Sequence, residues 1–152
     1  VHPKKVIVAL LLAASLIGFI DAAYLTAKHY LGMPPSCGRF GGCETVTTSE
    51  YATIAGVPIA LLGALYYLAV FLSVIAYLDT RRTGIIRWTA GFTTVGFVAS
   101  LWLVYLQLFV IKAICPYCML SAFASTILFI VGIAVFREQR GPDSPARMER
   151  DR

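Results

Sequence analysis

Long apolar stretches separated by short polar clusters organise this chain. Residues 57–78, 88–111 and 116–136 contain no charged side chain, and residues 6–27 contain one, Asp21. At a rise of about 1.5 Å per residue, each stretch reaches the roughly 30 Å of a bilayer's hydrocarbon core. The pattern predicts four spanning helices, at about 6–27, 57–78, 88–111 and 116–136. The expected fold class is therefore all-α integral membrane: a four-transmembrane-helix bundle with an extracytoplasmic loop between helices 1 and 2. Two regions follow, a membrane catalytic domain over 1–136 and a polar cytoplasmic tail over 137–152. Composition agrees, since 59% of the 152 residues are hydrophobic and mean hydropathy is +0.77. Soluble domains hold about 45–50% apolar residues. The first stretch, with Lys4 and Lys5 ahead of it, imitates a secretory signal peptide. It exceeds the usual apolar region of such peptides, so a spanning helix is the expectation.

Charge gives the expected orientation. Lys4 and Lys5 precede helix 1, Arg81, Arg82 and Arg87 separate helices 2 and 3, and Arg137, Arg140, Arg147, Arg150 and Arg152 follow helix 4. Of the thirteen basic residues, only Lys28, Arg39 and Lys112 fall on the other side. Basic residues accumulate in cytoplasmic loops, so both termini should be cytoplasmic and the 28–56 loop outside. A microbial plasma membrane is the expected location. The net charge of +5 then needs no nucleic-acid partner. A basic tail could touch anionic lipid of the lipid bilayer, but the interspersed Glu138, Asp143, Glu149 and Asp151 point instead to a solvated, mostly disordered end.

The four cysteines form two pairs, Cys37 with Cys43 in the first outer loop and Cys115 with Cys118 in a C-P-Y-C sequence. On this topology all four lie outside the cytoplasm, where thiols can be held as disulfides. Pro116 suits the first turn of a helix, which makes Cys115 a candidate N-cap and puts Cys118 in that turn. A helix N-terminus favours thiolate, as rapid thiol–disulfide exchange requires. Gly38, Gly41 and Gly42 lie between the loop cysteines and permit unusual dihedral angles there. Static disulfide staples compete with this reading, although a C-P-Y-C ring constrains little unfolded chain. A four-thiolate zinc site also competes, but such ligands usually sit in tight knuckles of small soluble modules. The expected metal content is none.

The segments Cys37-x5-Cys43, Ser49-Glu50-Tyr51-Ala52, Gly56-Val57-Pro58 with Gly63, and Cys115-Pro-Tyr-Cys118 resemble the vitamin K epoxide reductase family. The likeness is strongest to the microbial branch, in a form without a fused thioredoxin-like domain. It implies a membrane thiol oxidoreductase with a four-helix bundle around a quinone of the ubiquinone, menaquinone or vitamin K type. A thioredoxin-like partner acting in trans, or on a portion outside this sequence, would reduce Cys37 and Cys43. These would reduce Cys115 and Cys118, which would reduce the membrane quinone and so support disulfide formation. By that pattern Cys43 meets the partner, Cys37 exchanges with Cys115, and Cys118 faces the quinone. Ser49 matches the family serine beside the quinone, while a helix cap is its alternative role.

Other residues are less specific. Asp21 could relay protons or serve as a polar anchor near the interface. Trp102, Tyr105 and Phe109, at i, i+3 and i+7, could wall a quinone ring or pack the bundle. Tyr66 and Tyr67 are similarly ambiguous, being neighbours expected to face different ways. His2 and His29 have no marked neighbours and no expected role. Animal epoxide reductases carry a tyrosine four residues past the second C-x-x-C cysteine, where this chain has Ala122. Quinone reduction coupled to disulfide formation is therefore expected rather than epoxide reduction. The remaining alternative is a four-helix scaffold with structural disulfides.

Overall fold

The computed structural model describes residues 3–140, and Phe40 by its backbone only. Four long helices dominate it: α1 (Lys5–Tyr30), α3 (Ile59–Thr80), α4 (Thr83–Tyr105, prolonged by a π-helical segment Leu106–Ile111) and α5 (Pro116–Gln139). All four are long and apolar enough to cross a membrane. α1 packs on α3 and α5, α5 on α4, and α4 back on α3, closing a ring. Leu11, Val70, Val74, Leu128 and Val135 fill its interior, while Val98, Leu101 and Ile130 point outward. Helices apolar on every side are what a lipid surround selects. Polar side chains within them return their hydroxyls to their own helix: Ser15 donates to the Leu11 carbonyl at 2.6 Å, Thr26 to Ala22 at 2.7 Å and Thr126 to Ala122 at 2.8 Å. Each of these hydroxyl protons is thereby paired inside its own helix rather than left facing hydrocarbon.

The helix boundaries move outward from those the apolar runs predict. α1 continues to Tyr30, and α4 begins at Thr83 rather than near 88. Charged residues can occupy a helix end when their heads reach the interface. Arg87, expected in a loop, instead lies in α4 with its guanidinium 6.0 Å from the Phe136 ring centroid. Arg81 and Arg82 alone join α3 to α4, with Arg81 in the left-handed conformation that ends a helix. α5 runs through Arg137 to Gln139, so the tail starts later than expected. Residues 141–152, with Arg147, Arg150 and Arg152, and also His2, lie outside the described residues.

The connection from α1 to α3 is folded rather than open. It carries a short helix α2 (Gly42–Thr47) and a two-stranded hairpin, β1 (Thr53–Ile54) paired with β2 (Val57–Pro58). Ala55 and Gly56 both take positive φ, as two-residue hairpin turns with right-handed strand twist require. The hairpin hands the chain directly to α3.

Candidate redox site

Both cysteine pairs lie at one end of the bundle. Cys37 and Cys43 are joined by a disulfide, with Cα atoms 5.8 Å apart, whereas Cys115 and Cys118 are free thiols. Cys115 is the N-cap of α5, Pro116 opens the helix, and Cys118 falls in its first turn, as the sequence predicts. Cys43 and Cys115 are fully buried against each other in a small apolar cluster with Val46. Their Sγ atoms are 3.4 Å apart, and the Sγ atoms of Cys37, Cys43 and Cys115 all lie within 4.8 Å of one another. Two of those three sulfurs are bonded together, so the cluster offers one thiol and one disulfide, the reactants of an exchange step.

Local backbone geometry enforces this contact. Gly38 and Gly41 hold positive φ, which turns the chain into α2. Gly42 has a different task. A Cβ there would run into the backbone of Ile114, so only glycine lets α2 settle on the segment preceding α5. From the other side, the π-helical segment and Lys112 at φ 55° redirect the chain. Gln107 then secures the turn twice: its backbone carbonyl accepts Ala113 N–H at 3.1 Å, and its side-chain Oε1 accepts Cys115 N–H at 3.0 Å.

The Cys115 thiol is held well below its ordinary value of 9.0, at about 7. A hydrogen bond from the Cys118 thiol is the largest cause, assisted by the N–H groups of Cys118 and Tyr117 at the helix start. Burial and the charge of Asp21 oppose it. A thiolate would therefore form beside the Cys37–Cys43 disulfide close to neutral pH. The separation of 3.4 Å falls within the roughly 3–3.5 Å of near-attack geometries.

A cavity of about 430 Å³ opens beside Cys118, within the usual size range of small-molecule sites. Its wall is mainly apolar and includes Cys118, Ser121, Tyr66, Tyr67, Ser49 and Trp102. Tyr66 and Tyr67 both face it, contrary to the expectation that neighbours on a helix must diverge. Glycine notches explain this: the Tyr67 ring lies over Gly18 of α1 and the Tyr66 ring over Gly96 of α4. The two rings meet edge to face at 5.0 Å. Tyr67 donates its hydroxyl to the Ser121 carbonyl at 2.5 Å and lies 3.0 Å from Ser121 Oγ.

The expected quinone-contacting residues divide. Ser49 reaches the cavity, but its hydroxyl is donated to the Val46 carbonyl at 2.8 Å. Trp102 borders it. Tyr105 and Phe109 are not among the residues that line it; both are exposed on the outer face, their rings 5.2 Å apart. The spacing correctly puts them on one side of the helix. That side faces lipid, because Leu103, Leu106 and Gln107 occupy the inward one. Gln107, Ser121, Thr47 and Ser100 are among the polar wall residues that the sequence did not single out, and His29, given no expected role, also reaches the wall. A neutral amide inside an apolar run was the available signal for Gln107.

A multi-pass membrane bundle of four helices thus brings its two cysteine pairs into contact at one end. The chain belongs to the vitamin K epoxide reductase family, whose sequence profile matches residues 9–133. A curated relative is the thiol-disulfide oxidoreductase LTO1 of Arabidopsis thaliana, 33% identical over 123 residues. The match takes in 75% of this chain and 32% of LTO1, so the chain spans about a third of that relative's length.

Proposed function

We propose that the protein passes electrons from a reduced thioredoxin-like partner through Cys37/Cys43 to Cys115/Cys118 and on to a membrane quinone, supporting disulfide formation. The observation that carries this reading is the contact between Cys43 Sγ and Cys115 Sγ at 3.4 Å, with Cys118 lining a mainly apolar cavity. Once Cys37 and Cys43 are reduced and Cys115–Cys118 is oxidised, the Cys43 thiolate attacks Cys115 Sγ and releases Cys118 as a thiol. Cys37 then attacks Cys43 Sγ, closes the loop disulfide and frees Cys115. Two electrons move and every sulfur is accounted for. The arrangement of one loop disulfide and two free thiols corresponds to the end of this transfer. This order assigns Cys43 to exchange with Cys115 and leaves Cys37 to meet the partner, the reverse of the family-based expectation.

The cavity's chemistry suits a quinone head: flat apolar walls with a few hydroxyls. A quinone bound there would supply a two-electron acceptor next to Cys118. The buried Tyr66 hydroxyl faces Ser125 without meeting hydrogen-bond geometry, which leaves it available as a donor to a carbonyl oxygen. Ser49 could donate only by rotating away from Val46. The orientation with both termini cytoplasmic and the cysteines outside is part of the same proposal. Lys4, Lys5, Arg81 and Arg82 cluster at the end opposite the cysteines, which supports it.

Purified protein supplied with a reduced thioredoxin-fold donor and a soluble quinone tests the reading. Quinol should accumulate in step with oxidation of the donor. Donor oxidation that does not depend on quinone would contradict it.

A further inference from the structure

Transfer from a dithiol to a quinone moves two protons as well as two electrons, and the exchange scheme above says nothing of where the protons go. Asp21 is the one acidic residue among 6–27, and it is buried with 6% of its surface exposed. Its Oδ2 has no hydrogen-bond partner among the described residues. A buried carboxylate without a compensating partner is costly in an apolar surround, so its location calls for an explanation. That location is specific. Asp21 lies one turn from Gly18, which seats the Tyr67 ring, and three residues before Tyr24, whose ring is 5.3 Å from that of Tyr117. Tyr67 on α3 and Cys115, Tyr117 and Cys118 at the start of α5 are the titratable groups near enough to feel its charge. The next residue, Ala22, lines the cavity.

We propose that Asp21 is the proton acceptor for the C-P-Y-C dithiol, taking the Cys118 thiol proton as that sulfur becomes nucleophilic toward the quinone. The proposal rests on the quinone-reducing reading above. Moving a proton from the half-buried Cys118 sulfur to the buried carboxylate shifts negative charge between the two without changing the net charge of the site. In a low-dielectric surround that is far less costly than creating a lone thiolate. The balance is closed: two thiols and a quinone give a disulfide and a quinol, the Cys118 proton passing through Asp21 to one quinone oxygen and the Cys115 proton, released as the disulfide forms, going to the other. The hydrogen-bonded Tyr67 and Ser121 both line the cavity.

The test pairs Asp21→Asn, which keeps shape and loses basicity, with Asp21→Glu, which keeps basicity. General-base assistance contributes about 10²–10⁴-fold. Asp21→Asn should therefore slow quinone-dependent oxidation of the reduced dithiol by about 100-fold near neutral pH with unchanged KM for quinone, rising with pH, while Asp21→Glu recovers most of the rate. A second readout needs no quinone: thiolate absorbance of Cys115 in Asp21→Asn should titrate at lower pH than in wild type, because Asp21's charge opposes that thiolate. More thiolate with slower transfer is a combination that a folding defect does not produce. If the amide disturbs folding, Asp21→Ser replaces it. Wild-type rate and pH profile in the uncharged variant, or an unmoved Cys115 titration, would overturn the proposal. An inactive wild type would instead refute the quinone reading, with the titration still reporting on Asp21.

Discussion

Cys43 Sγ lies 3.4 Å from Cys115 Sγ, although 72 residues separate them. The contact is between a disulfide-bonded sulfur and a free thiol, both removed from solvent. Because exchange is reversible, the thiol-on-disulfide arrangement in one direction implies the same mixed disulfide in the other. This contact favours a Cys43–Cys115 bond as the proposed route between the two pairs.

The hydrogen bond from Cys118 makes Cys115 the more acidic thiol, so the reverse exchange, Cys115 thiolate on the Cys37–Cys43 disulfide, should follow its ionisation. As pH rises through about 7 the Cys115 thiolate should appear, and the exchange rate should climb with it and level off above. Cys118→Ala removes the main cause of the lowered value. In that variant the midpoint of thiolate ultraviolet absorbance should move up toward 9.0. An unchanged midpoint would show that the pairing does not set Cys115's acidity.

Gly42 is the point where α2 rests on the chain before α5. The obstacle to a side chain there is the Ile114 backbone, which cannot swing aside as a side chain can. Gly42→Ala should lift Cys43 away from Cys115, and a misplacement of about 1 Å costs on the order of 100-fold in rate. Stopped-flow measurement of electron passage between the two pairs checks this, with Gly41→Ala as a comparison that strains a turn but meets no atom within 4 Å.

The membrane fold was legible because its signal is redundant: every uncharged run of spanning length became a helix. The C-P-Y-C geometry was legible too, since Pro116 fixes the start of α5 and places both cysteines by that alone. What could not be read was rotational phase. Trp102, Tyr105 and Phe109 share a face by periodicity, but in a helix that is apolar all round nothing in the sequence says whether that face meets lipid or the interior. The π-helical segment beginning at Leu106 shifts the phase further. Tyr66 and Tyr67 failed for a complementary reason, since their shared cavity depends on Gly18 and Gly96 on two other helices. Which loop cysteine meets Cys115 depends on how α2 docks, and that depends on the close approach at Gly42 and the packing of Cys43 and Val46 on the far-off segment around Ile111 and Cys115.

Gln107 couples the π-helical segment to the redox turn through its hydrogen bond to Cys115 N–H. Gln107→Leu would leave that buried N–H without an acceptor, a loss of about 1–3 kcal/mol. Thermal unfolding in detergent should show a lowered midpoint, and Gln107→Glu, which retains an acceptor oxygen, should recover part of it. A Leu variant as stable as the parent would mean that water or backbone replaces the bond.

Gly96 provides the notch for the Tyr66 ring. Gly96→Ala should push that ring into the cavity, raise KM for quinone and lower stability by about 1–3 kcal/mol through overpacking. Exchange between the two cysteine pairs, at the other side of Cys118, should be little affected. Quinone titration of both steps in the same preparation separates the effects.

The account stands or falls on the partner of Cys115. In a Cys37→Ala, Cys118→Ala variant the two resolving thiols are gone, so the mixed disulfide between Cys43 and Cys115 should accumulate on mild oxidation. Peptide mapping without reduction would identify it. The complementary Cys43→Ala, Cys118→Ala variant should form little or no Cys37–Cys115 bond. A Cys37–Cys115 bond dominating in the second variant, with none in the first, would contradict the assignment, and neither bond in two folded proteins would contradict the relay.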